Sequence, residues 1–186
     1  MRIYLGMPVY QGIHPRVVQN LLEFDLRRQK ENMELITHFP QSSIIAHSRN
    51  IITKTALERD ADWLLFWDSD IEVQDKGFLN TMIDAAFKEE ACVASLPCSL
   101  KADGVNYTRI DGKLYCGTGV MLINLHWLHE HWPSTPWFEI THNGINFSPE
   151  DYNFCKGVHE RGGKICLCDI PTVHWGSYGY EYRPKT

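Results

Sequence analysis

The stretch Trp63-Leu64-Leu65-Phe66-Trp67 restricts the fold more than any other: five consecutive apolar residues between two stretches of helical periodicity. An alternating pattern would mark a strand with one face in water. An unbroken run of this length marks a strand covered on both faces, as in a parallel sheet between helices. The flanking sequence repeats the alternation of strand and helix. Ile3 to Met7 reads as a strand, and Val18, Leu22 and Leu26 recur every four residues on a helix that starts at Pro15, a residue favoured at the first helical position. Glu34 to Phe39 reads as a second strand. Pro40-Gln41-Ser42-Ser43 then leads to a helix with Ile45, Ile52 and Ala56 on one side and a serine available as its cap. Gly77 to Glu90 reads as a third helix, with Phe78, Met82, Ala85 and Ala86 inward, and Ala91 to Leu96 as a fourth strand. This order implies right-handed crossovers and a doubly wound α/β sheet.

The pattern changes after that strand. Tyr107 to Ile110 and Lys113 to Cys116 flank Asp111-Gly112, a strong hairpin signal, so a small antiparallel element joins the mostly parallel core. Gly119 to Asn124 reads as a strand, His126 to His131 as a short helix, Ser148 to Arg161 as a longer one, and Lys164 to Cys168 as a last strand. A chain of 186 residues suits one domain, residues 1–186, able to bury a core without staples. The six cysteines form no C-x-x-C pair and read as reduced, buried thiols.

Eighteen Lys and Arg against 23 Asp and Glu leave a net charge of −5, with no basic run longer than Arg27-Arg28. Nucleic acid is therefore not expected as the main partner. No apolar run approaches the roughly 18 residues of a membrane span, and the amino terminus lacks a signal-peptide pattern, so a cytoplasmic protein is expected.

In an open α/β sheet, ligands bind beyond the carboxyl ends of the strands. Immediately after Trp67 come Asp68-Ser69-Asp70. Two carboxylates spaced by one residue point to the same side of an extended chain, and hard oxygens gathered there suit Mg²⁺ or Mn²⁺ rather than zinc. A D-x-D at a strand end also occurs as an ordinary cap or turn. Here the buried strand before it adds weight, because two charges so placed repel without a cation between them.

In this context the chain resembles the nucleotide-sugar glycosyltransferases of the A type. The resemblance rests on Ser48-Arg49-Asn50-Ile51-Ile52 with the helix that follows, on Ala61 through Ile71 containing the D-x-D, and on Cys116-Gly117-Thr118-Gly119-Val120-Met121-Leu122-Ile123. Ser148 through Cys155, Arg161-Gly162-Gly163 and Val173-His174-Trp175-Gly176 complete it. What it implies is a single-domain Rossmann-like fold, a donor of the UDP- or GDP-sugar type, a glycan or other hydroxyl acceptor, and Mn²⁺ or Mg²⁺. By the family pattern Asp70 ligates the metal, Asp68 contacts ribose or the metal through water, and His174 is a further ligand. Ser69, Gly117, Thr118 and Gly119 line the donor.

Other residues carry two readings each. Pro8-Val9-Tyr10 follows the first strand: Tyr10 stacks on the base while backbone groups read its edge, or the segment is a plain turn. Arg49 reaches the diphosphate, or forms a salt bridge to Asp68 or Asp62. His174 is a ligand or a loop histidine. For an inverting transfer the base is Asp151, with Glu150 second; Ser148-Pro149-Glu150-Asp151 is equally a good helix start with a serine cap. Trp127, Trp137 and Trp175 offer faces for an acceptor sugar, or simply pack. The tail from Tyr178 to Lys185 is a lid or a frayed end. Two competing functions remain, a non-catalytic nucleotide-sugar binding module and a D-x-D phosphatase; the latter wants its motif on the first strand and Thr or Val where Glu72 stands.

Overall fold

The computed structural model describes residues 1–29, 34–100, 104–175 and 179–182. Gly176, Tyr178 and residues 183–185 of the motif and tail considered above lie outside the described residues, as does the side chain of Leu26. The first half runs β1 (Arg2–Gly6), α1 (Pro15–Gln29), β2 (Glu34–His38), α2 (Ile45–Glu58), β3 (Trp63–Trp67), β4 (Ile71–Val73), α3 (Phe78–Lys88) and β5 (Val93–Ser95). The hairpin β6 (Tyr107–Ile110) and β7 (Lys113–Cys116) follows, then β8 (Val120–Asn124) and α4 (Leu125–His131). The chain continues through β9 (Thr141–Asn143), β10 (Asn146–Ser148), α5 (Glu150–Glu160), β11 (Ile165–Leu167), β12 (Thr172–Trp175) and β13 (Gly179–Tyr182).

Six strands form the central sheet in the order β11-β5-β8-β3-β1-β2. Five run parallel and β8 runs antiparallel between β3 and β5. Alternation along the buried strands explains the layers. Ile3, Leu5, Trp63, Leu65 and Trp67 face Val17 and Phe24 of α1 and Phe78, Leu79, Met82 and Ile83 of α3. Tyr4, Leu64 and Phe66 face Ile52 and Ala56 of α2, Leu125 and Leu128 of α4, and Phe154 and Val158 of α5. Both faces of β3 are thus covered, as its apolar run requires. All six cysteines are buried free thiols.

Three local expectations are corrected. Helix α1 docks through Val17 and Phe24, whereas Val18 and Leu22 are 40% and 64% exposed. Apolar residues at 17, 18, 21, 22 and 24 give two overlapping stripes about 100° apart, and tertiary contact selects one of them. The serine caps are not used as caps: Ser42 Oγ accepts from Ile44 N at 3.1 Å while Ile44 itself takes the cap position of α2. Pro149 takes that position on α5, and Ser148 Oγ donates to Asn153 Oδ1 at 2.8 Å. The Asp111-Gly112 turn is as expected, with φ of 50° and 76° at its two central residues, the left-handed pair that a two-residue hairpin needs. Among the described residues no helix is long and apolar enough to cross a membrane.

Candidate functional site at the carboxyl end of the sheet

Asp68 leaves β3 beside the glycine segment that precedes β8, its N–H donating to Gly119 O at 2.8 Å. The chain then turns, with Ile71 N bonded to Asp68 O at 3.2 Å, so the two aspartates do not share one side of an extended strand. They diverge to different partners. Asp70 Oδ2 lies 3.3 Å from His174 Nε2, which is 104 residues away in sequence. Strand β12 makes this meeting by pairing antiparallel with β4, in a register that sets His174 against Ile71. Ser99 O accepts from His174 Nδ1 at 2.8 Å, so in the neutral ring Nε2 carries the lone pair and faces the carboxylate.

Asp68 faces Arg49. The guanidinium donates from one terminal nitrogen to both Asp68 oxygens, at 3.1 and 3.3 Å, and from the other to Glu150 Oε1. Arg49 is 3% exposed and Glu150 8%, so α2, the β3 end and the start of α5 are joined by a buried ionic clamp. Arg49 thus forms the salt bridge to Asp68. Burial pushes the Asp68 carboxyl up to about 6 despite the pull of Arg49, and the charges of Asp70 and Glu150 push the same way.

Glu150 and Asp151 separate as adjacent helical residues must. Glu150 turns into the clamp, whereas Asp151 is half-buried and lines a cleft of about 190 Å³ with Tyr107, Tyr115, Gly117 and Tyr152. Its carboxyl is held above the usual range by burial first and by the Glu150 charge second, against a 2.7 Å bond from Tyr152 N. Gly117 is closed in by Asn106, whose Nδ2 would lie 2.9 Å from a Cβ there. Thr118 Oγ1 and Arg49 Nε are buried without a hydrogen-bond partner among the described residues, polar atoms left over beside the carboxylates' strand end.

The remaining sequence candidates fall differently. Pro8 is buried, Val9 N donates to Pro40 O at 3.1 Å and Val9 O accepts from Ser42 N at 3.2 Å, and Tyr10 is 61% exposed. Ser69 O accepts from His14 N at 2.8 Å, and Trp175 stacks on His14 with centroids 4.8 Å apart. Trp175 Nε1 donates to Glu72 at 2.8 Å, which accounts for the acid at that position. Trp127 belongs to α4, which starts where β8 pairs with the opposite end of β3, and it stacks on His131. Trp137 is 3% exposed, with Nε1 bonded to Trp132 O. Neither of these two offers an open face to the Asp68 end of the sheet. The tyrosine-lined cleft has no signature in the sequence beyond a tyrosine directly after Asp151, because Tyr115 and Tyr152 meet only when β7 packs on α5.

Among the described residues no group of three or more His, Cys, Asp and Glu could hold a metal alone. An imidazole nitrogen and a carboxylate oxygen facing each other do fit a borderline-hard divalent cation whose other ligands come from a diphosphate and water.

No family model and no curated protein sequence matches the chain. Solved structures do. Protein A197 from STIV superposes with a TM-score of 0.67 at 21% identity, over 95% of this chain and 86% of that one. A Drosophila β-1,4-galactosyltransferase 7 mutant, crystallised with manganese, UDP-Gal and xylobiose, gives 0.56 at 9% identity over 89% of this chain and 64% of its own. A glycosyltransferase involved in glycosylation of the major capsid of PBCV-1 gives 0.51 at 15% identity over 90% and 81%. The chain therefore shares the fold of these glycosyltransferases, a mostly parallel sheet between helices with small antiparallel additions.

Proposed function

We propose that the protein is a metal-dependent glycosyltransferase that moves a sugar from a UDP- or GDP-type donor to a glycan or other hydroxyl acceptor with inversion. The observation that carries this reading is the meeting of Asp70 with His174 at the end of the central strand, with His174 held by Ser99, which bridges to Val105 in the wall of the cleft that Asp151 lines. A neighbour of the same fold holding manganese, UDP-Gal and xylobiose supports it.

Asp70 Oδ2 and His174 Nε2 would hold Mn²⁺ or Mg²⁺, and Asp68 would stand by to contact ribose or a metal-bound water. A bound divalent cation supplies Lewis-acid stabilisation of the charge that grows on the diphosphate leaving group. Ser99 O fixes the histidine ring, and the Arg49 clamp fixes Asp68, so neither has to reorganise when the donor arrives. The donor lies along Gly117-Thr118-Gly119, where the Thr118 hydroxyl, unpartnered among the described residues, meets a polar ligand. Asp151 takes the acceptor proton. Its carboxyl, held above the usual range by burial and by the Glu150 charge, is a stronger base than an ordinary aspartate. Glu150, buried against Arg49, is a structural acid in this scheme, and a D-x-D phosphatase does not fit a motif that follows the third strand.

The decisive experiment is calorimetric titration of UDP and GDP with and without Mn²⁺, followed by release of nucleotide from their sugar conjugates. Metal-dependent binding with turnover supports the transferase; binding without turnover points to a non-catalytic module. Binding that ignores the metal refutes the proposal.

A further inference from the structure

The cleft beside Asp151 lies between the β6–β7 hairpin and the first turn of α5, and its chemistry narrows what can enter. Three tyrosines, Tyr107, Tyr115 and Tyr152, line it together with Thr108, Gly117 and Asp151. Tyr115 and Tyr152 stack with centroids 4.6 Å apart and planes 17° from parallel, so the hairpin and α5 are tied and this wall is preformed. Tyrosine offers an apolar ring face and a hydroxyl on one rigid side chain. Such a lining suits a ligand with apolar C–H faces and a rim of hydroxyls. A cavity of about 150 Å³ accepts a single six-membered ring. At about 190 Å³ this cleft takes one such ring with its substituents. Among the described lining residues Asp151 is the one carboxylate, and no Lys, Arg or His accompanies it. An anionic ligand would meet that negative charge with no cation among the described lining residues to offset it.

We propose that this cleft is the acceptor subsite and that its ligand is a neutral pyranose ring whose reacting hydroxyl faces Asp151. The proposal rests on the transferase reading and replaces the tryptophan platform with tyrosines. In the transfer the acceptor oxygen bonds to the anomeric carbon of the donor and its proton passes to the Asp151 carboxylate. The bond from that carbon to the diphosphate breaks, and its electron pair leaves with the nucleoside diphosphate.

Thr108 is exposed on β6 and lines the cleft, so Thr108→Trp fills it from the rim, and Thr108→Lys adds a cation. Two measurements test the assignment. Ligand-observed NMR with methyl xyloside, methyl galactoside and methyl glucuronide, without donor, reads the cleft alone. Nucleotide release from UDP- and GDP-sugars with Mn²⁺, with and without those glycosides, reads transfer against hydrolysis. The neutral glycosides should bind wild type, bind Thr108→Trp at least tenfold more weakly, and lose at least tenfold in the ratio of transfer to hydrolysis in that variant. Thr108→Lys should shift preference towards the glucuronide. Should Thr108→Trp not fold, the Lys variant alone decides. Equal binding of neutral glycosides by wild type and Thr108→Trp, equal binding of the glucuronide by wild type, or no glycoside binding at all overturns the proposal. Neutral glycosides that bind in the cleft of a protein without turnover would uphold the subsite and overturn the transferase reading instead.

Discussion

Replacing Arg49 by Met tests whether the carboxylates of the site are held by the fold or by ligand. The guanidinium side chain is 4% exposed and lies between Glu150, 10% exposed, and Asp68, 28% exposed. Met fills much of the volume but leaves Glu150 ionised in the interior without a counter-charge. Removing one partner of a buried pair typically costs about 3–5 kcal/mol, because the surviving charge stays desolvated. A domain of this size loses roughly 2–4 °C of melting temperature per kcal/mol, so a drop of roughly 6–20 °C is expected. The pH dependence has a definite sign. The Asp68 carboxyl titrates near 6 in the folded protein, above its ordinary 3.8, so its contribution to stability is full below about 3.9 and is lost as pH rises through about 6. Without Arg49 that value rises further, and the deficit of the variant should be larger at pH 8 than at pH 5. Adding Glu150→Gln removes the stranded charge, so the double variant should recover part of the loss and show a coupling energy above about 0.5 kcal/mol. Urea unfolding of the four proteins at both pH values measures all of this. A loss under about 1 kcal/mol for Arg49→Met at pH 8, with weakened nucleotide binding, would refute the clamp and favour Arg49 as a diphosphate ligand.

Asp70→Asn should stay folded but lose the Mn²⁺-dependent thermal shift with UDP or GDP, a shift of about 2.7 kcal/mol at a hundredfold excess over Kd; equal stabilisation of variant and wild type in chelator counts against the metal role. His174→Ala should raise the Mn²⁺ concentration needed for half-maximal turnover well before it lowers the urea midpoint; unchanged activity at limiting Mn²⁺ would make it a structural histidine. Asp151→Asn should transfer sugar at least about a hundredfold more slowly while binding nucleotide normally. Because the folded Asp151 carboxyl is raised by burial, its contribution is present at low pH and lost as pH rises through the raised value, so the Asn variant should be no less stable than wild type at pH 8. Near-normal transfer by that variant would move the base elsewhere.

The apolar run at 63–67 and the acids after it were readable because each rests on local physics: a strand with no polar side has nowhere to sit but the interior, and its carboxyl end is where an α/β sheet leaves room for ligand. The Asp111-Gly112 hairpin was readable for the same reason, since its positive φ values are a property of two adjacent residues. Strand direction was not. β8 is as continuously apolar as its neighbours, and burial on both faces erases the difference between a parallel and an antiparallel member. The three-residue strand β4 and the pairing of β12 to it carry too few residues to show a period, yet that register is what sets His174 against Asp70. The two readings of Arg49 were likewise equal on paper. Which anion a long cation reaches depends on elements distant in sequence, and the placement of the first turn of α5 put Glu150 there, leaving Asp151 to the cleft. Residue chemistry and local periodicity therefore named most of the participants, while long-range packing decided which of them meet, because a contact across 101 or 104 residues leaves no trace in the pattern of either segment alone.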